Sequence, residues 1–88
     1  MNKQRRTEIN ALGKLLLDVE GQLTAIREAA ESLRDEEQDY LDNMPENFQE
    51  GEKGQAAEEV ISWMDEVVSA LEDIDIDTMR TSLEEAAQ

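Results

Sequence analysis

The chain lacks cysteine and histidine altogether among its 88 residues. No disulfide can form, and no thiolate or imidazole metal site can be built. One proline, four glycines and three aromatic residues (Tyr40, Phe48 and Trp63) complete the list of scarcities, so any core must be aliphatic. No window approaches the ~18 apolar residues of a membrane-spanning helix. The basic start, Lys3, Arg5 and Arg6, is followed by Glu8, Asn10, Lys14 and Asp18, which break the apolar run of a secretory signal. A soluble, cytoplasmic protein with no membrane partner is expected.

Charge of one sign is abundant. The net charge is −15, and it is unevenly placed. Residues 1–34 carry six Lys/Arg against five acids, whereas residues 35–88 carry only Lys53 and Arg80 against eighteen. Direct binding of DNA or RNA by the second half would work against strong repulsion. A partner other than the chain itself should be a basic protein.

What is present above all is a seven-residue repeat. Apolar residues recur at alternating steps of three and four through Ile9, Leu12, Leu16, Val19, Leu23, Ile26, Ala30 and Leu33, and after Glu37 through Tyr40 and Met44. This spacing keeps one narrow stripe on one side of a helix and describes a coiled-coil seam. A helix over residues 3–41 would be roughly 60 Å long, whereas a compact chain of this size has a radius of gyration of about 12 Å. Such a helix needs other helices beside it, including those of a second copy.

The segment Asp42-Asn43-Met44-Pro45-Glu46-Asn47 ends that helix, since proline restricts its predecessor and Asp/Asn favour turns. Asn43 and Glu46 have capping-box spacing, which predicts one helical turn across Met44–Gln49 closed by Gly51. A second helix is predicted over 54–72, with Ala57, Val60, Met64, Val67, Leu71 and Ile74 in its stripe. Apolar residues then resume in a shifted phase at Ile76, Met79, Leu83 and Ala86. An aspartate capping a short third helix over 77–87 explains the shift, and a single kinked helix is the competing reading. The expected fold is all-α and a single domain over residues 1–88. A long helix and an antiparallel return helix form a helical hairpin, and two copies associate as a dimeric four-helix, coiled-coil bundle. Its seam comprises Ile9, Leu12, Leu16, Val19, Leu23, Ile26, Leu33, Val60, Met64, Val67 and Leu71.

Chemistry is harder to find. No Ser or Thr lies in a nucleophile-elbow pattern, and Gly51-Glu52-Lys53-Gly54 lacks the Lys-Ser/Thr of a phosphate loop. Asp73, Asp75, Asp77 and Glu84 match four positions of a calcium loop, but Thr78 stands where that loop needs glycine. Paired carboxylates occur throughout, so none singles out a general acid or base. No catalytic, cofactor-binding or metal-binding residue is assigned. The residues that could carry function are the acidic ones: Glu36, Asp39, Asp42, Glu58, Glu59, Asp65, Glu66, Glu72 and Asp73. Trp63 is either core or, where exposed, a contact anchor.

The run Asp42-Asn43-Met44-Pro45-Glu46-Asn47-Phe48-Gln49, preceded by Glu36-Glu37-Gln38 and followed by Ala56-Ala57-Glu58-Glu59, resembles the central turn of small acidic helical proteins encoded by phages and prophages. That resemblance implies an accessory protein acting in the cytoplasm of a bacterial host cell, with no catalytic residues to carry over. The expected function is therefore a non-enzymatic interaction module. Its acidic half would bind and inhibit a basic host protein concerned with defence or nucleic-acid handling, in the sharpest version as a DNA mimic. The alternatives are a structural or virion-associated scaffold, and a sponge for a small molecule or nucleotide signal that uses Arg27 and Arg34.

Overall fold

A computed structural model describes residues 2–88, and its regular elements are all helices. They are α1 (Lys3–Asp42), α2 (Glu46–Gln49), α3 (Glu52–Glu72) and α4 (Ile76–Ala86). The chain divides into two compact units. A turn unit spans Ile26–Glu72, and a terminal unit combines the chain up to Ala25 with Asp73–Gln88.

α1 begins where the Asn2 carboxamide oxygen accepts from the Arg5 N–H at 2.8 Å, satisfying one of the donors a helix start leaves free. Strong helix formers then carry it forty residues. Its end is closed by side chains. Asn43 donates to the Asp39 carbonyl at 2.8 Å, and Gln49 Nε2 donates to the Leu41 and Met44 carbonyls at 3.1 Å each. The predicted capping box does not form: Pro45, with φ −55° and ψ 147°, precedes α2, and no side chain caps it. Asn43 instead turns its side chain back to the Asp39 carbonyl, which also accepts from the Asn43 backbone N–H at 3.0 Å.

α3 begins two residues before the predicted start. Gly54 lies buried in its first turn against the backbone of Gln49. A Cβ at position 54 would overlap the Gln49 carbonyl and come within 2.7 Å of its Cα. Only glycine lets α2 and α3 meet so closely. Within the turn unit α3 then returns along α1, bridged by Arg34 Nη1 to Asp65 Oδ1 at 3.0 Å.

The faces that meet differ in phase from the apolar seam. In the turn unit the less exposed positions of α1 are Arg27, Ala30, Glu31, Arg34, Glu37 and Leu41, and those of α3 are Gly54, Ala57, Ile61, Met64, Val68 and Leu71. Ala30, Glu37, Ala57, Met64 and Leu71 belong to the seven-residue repeat. Their inward companions follow four residues later, whereas the apolar companions read from the sequence follow three later. At 3.6 residues per turn these two rows lie about 100° apart around the helix. The hairpin therefore buries the four-later row and leaves the three-later row open. Leu33, a seam residue, is 55% exposed.

The terminal unit repeats the pattern. Ile9, Gly13, Leu16, Glu20 and Leu23 are half-buried on α1, and Ile76, Arg80, Leu83 and Ala87 are shielded on the other segment, while Leu12 and Val19 are exposed. α3 and α4 are separate helices. Asp75 caps α4, accepting from the Thr78 N–H at 2.9 Å and from the Thr78 hydroxyl.

The glycines predict opposite outcomes. Gly13 and Gly21 have nothing within 4 Å of where a Cβ would stand. Gly13→Ala and Gly21→Ala should each stabilise the protein by about 0.5–1 kcal/mol. Gly54→Ala should destabilise it, by ~1–3 kcal/mol through overpacking against backbone. Thermal melts followed by far-UV circular dichroism test both signs.

Candidate functional site

The turn unit presents two sides of contrasting chemistry. Two antiparallel helices are related by an approximate dyad normal to the plane through both axes. That operation keeps each side of the hairpin on its own side, so the three-later rows of α1 and α3 share one side. This side carries Ile26, Leu33 and Tyr40 from α1, which are 52%, 55% and 50% exposed. From α3 it carries Val60, Val67 and, beside them, Trp63, which is 62% exposed. The small exposed residues Ala29, Ala56 and Ala70 fill the same side. Of the thirteen carboxylates and three cations that α1 and α3 carry within Ile26–Glu72, it holds one of each, Glu36 and Lys53. Lys53 is itself held over the Phe48 ring, 5.9 Å from its centroid.

The other carboxylates face elsewhere. Glu58, Glu59, Asp65, Glu66 and Glu72 follow the inward positions of α3 by one or two residues, and Asp39 and Asp42 take the outer positions of α1. All are exposed. Among the described residues, only Asp65 of this set lies within salt-bridge reach of a cation, Arg34. Two members of the sequence-read acidic set stand apart. Glu36 lies on the apolar side, and Asp73 follows the end of α3 and belongs to the terminal unit.

The two cations on the inward stripe differ. Arg34 bonds Asp65 at 3.0 Å and Asp35 at 3.4 Å. These bonds, the one to Asp65 foremost, raise its pKa above the ordinary guanidinium value. Arg27 turns its Nε inward without a hydrogen-bond acceptor, and the nearest carboxylate, Glu31, stands 3.9 Å away. Sequence reasoning passed over Arg34 as a hairpin-lining residue because charged side chains do not register in an apolar periodicity. The signal lay in spacing: Arg27, Arg34 and Leu41 recur every seven residues, beside the seam on which Glu37 interrupts the apolar pattern.

The terminal unit has an apolar groove of about 450 Å³ lined by Leu12, Leu15, Leu16, Val19, Met79 and Leu83, with Thr78 and Ser82 at its edge. Lys14, Arg80 and Glu84 help line a smaller recess of about 160 Å³. Among the described residues no three acidic side chains converge as metal ligands, and no helix is long and apolar enough to cross a membrane. No protein-family model matches the chain, nor does any curated protein or solved structure.

Asp75 gives a pH signature. Its hydrogen bonds from Thr78, the side-chain one first, hold its carboxyl below the ordinary carboxylate range. A depressed pKa adds stability that is present above the unfolded value of 3.8 and is lost as pH falls through the lower, folded value. Asp75→Ala should therefore melt below the wild type at neutral pH. The gap should narrow below pH 3.8 as the wild-type carboxylate protonates, which melts recorded across an acid series will check.

Proposed function

We propose that the protein is a non-enzymatic interaction module whose acidic second half binds and inhibits a basic protein. The observation that carries this reading is the uncompensated row along α3. Glu58, Glu59, Glu66 and Glu72 are exposed, and no cation among the described residues lies within salt-bridge distance. Carboxylates arranged this way steer a cationic partner by long-range attraction, giving fast and salt-sensitive association. A groove built for nucleic-acid phosphates is the natural complement of such a row, which is the DNA-mimic form of the proposal. The resemblance to phage and prophage proteins points to a host protein in the bacterial cytoplasm as the target.

Two other readings are weighed by particular residues. A sponge for an anionic signal needs free cations, and Arg34 is already bonded to two carboxylates, so a ligand would have to displace them. A scaffold reading draws on the open apolar side of the turn unit, which favours self-association without excluding a basic partner.

Capture from nuclease-treated bacterial lysate on the immobilised chain tests the proposal. A basic protein should be retained at low salt and released at about 0.5 M, where screening lengths fall to a few Å. Replacing Glu58, Glu59 and Glu66 together by Gln should cut retention by at least tenfold. Retention that ignores both salt and the triple substitution would sink the electrostatic reading.

A further inference from the structure

We infer that the uncharged side of the turn unit is the docking surface for a second copy of this chain, with Trp63 near the centre of the contact. This inference is separate from the proposed function, because it uses the apolar side of the hairpin, which Glu59 and Glu66 of the acidic row only border.

Charge selects the occupant. Each copy carries −15, and two such chains repel wherever their acidic sides approach. The side formed by Ile26, Leu33, Tyr40, Val60, Trp63 and Val67 holds one carboxylate and one cation, and Glu59 and Glu66 border it beside Trp63. Joining two copies there sends Glu58, Asp65 and Glu72 to the outer faces and leaves Glu59 and Glu66 at the solvated rim, which repels less than a contact between acidic sides. A strongly basic partner has no electrostatic reason to choose this side over the acidic one.

Spacing supports the same occupant. Ile26, Leu33 and Tyr40 recur every seven residues, as do Val60 and Val67. A second copy necessarily presents the same repeat, so the side chains of one can enter the gaps of the other. The surface is thus self-complementary, as a two-fold interface requires. Its size is adequate. These six side chains leave on the order of 500 Å² open, towards the upper end of the patches that single chains carry. That is more than half of the ~800 Å² each partner gives to a standard interface. Trp63 is the residue type that most often anchors such contacts.

The seven-residue seam read from the sequence then serves two neighbours. Its row of Ala30, Glu37, Ala57, Met64 and Leu71 lies on the faces that the hairpin's two helices turn to each other, and the three-later row faces the second copy.

Sedimentation velocity and native mass spectrometry on the full chain, from about 1 to 100 µM, provide the test. The expected species at the upper end is a dimer, and it should strengthen as salt is raised, because screening relieves repulsion between like-charged copies. That trend is opposite to the one expected for the basic partner, so the two proposals fail separately. Trp63→Glu and Leu33→Glu should each weaken self-association at least a hundredfold, with helicity retained in dichroism spectra. Glu58→Gln, on the far side of α3 from Trp63, Val60 and Val67, should leave the dimer intact. Should both apolar-side variants unfold, Trp63 fluorescence of the wild type decides. Its emission should shift to the blue and its iodide quenching fall several-fold as the dimer forms.

A monomer at 100 µM overturns the inference, as does an assembly larger than two. A dimer that survives Trp63→Glu, or one in which Trp63 stays fully quenchable, overturns it as well. Blue-shifted emission that requires phospholipid vesicles would assign this side to a lipid surface and equally overturn it.

Discussion

The contact of Gly54 with the Gln49 backbone is the constraint on which the turn unit depends. It brings α3 close enough to α2 to turn back along α1, and Gln49 also donates to the Leu41 carbonyl of α1 and to the Met44 carbonyl just beyond it. One short segment therefore ends one helix and aims the next. Once the direction of α3 is set, helical geometry decides which residues meet. Ala30 and Ala57, two of the most buried side chains, lie where the helices face each other, and small residues there permit close approach. Arg34 and Asp65 then tie the same crossing from the side.

The separation of apolar and acidic sides follows from that direction. A seven-residue repeat offers a helix two rows of companions, and a single neighbour can use only one in full. In α1 the inward four-later row is Arg34 and Leu41 while Leu33 and Tyr40 stay open, and in α3 both rows are apolar, Ile61 and Val68 inward and Val60 and Val67 open. This is an unusual allotment for a chain folding alone, because burying apolar area is the main gain on folding. It becomes reasonable when the apolar row belongs to a partner. The acidic residues then occupy the positions left over, and their mutual repulsion is lowest when they sit farthest from any interface.

The all-helical character was legible in the sequence because repeat, helix formers and turn residues agreed. The phase of the repeat was not. Leu33 and Val67 look as inward as Ala30 and Val68 when only hydrophobicity is read, and the choice depends on which helix lies alongside. The end of α1 was misread for a different reason. Asn43 satisfies the spacing of a capping box, but its side chain lies within reach of the Asp39 carbonyl, and Gln49 was not recognised as a donor to the Leu41 carbonyl. The acidic set was visible as composition. Its division, with Glu36 apart from Glu58, Glu59 and Glu66, needed the position of each residue around its helix. Trp63 could not be placed from sequence, because an aromatic residue on a helix suits either a core or a surface anchor.

The modest interior has a thermodynamic consequence. Among the described residues only Ala30, Ala57, Val68 and Ile76 form the buried hydrophobic set, and two of these are alanines. Heat-capacity change on unfolding scales with the apolar area newly exposed to water. A single chain with so little hidden area has a small one, so its free energy of unfolding varies gently with temperature. Its melting is shallow and its cold limit remote, and the steep, cooperative transition of a larger globule requires burial that one copy does not supply.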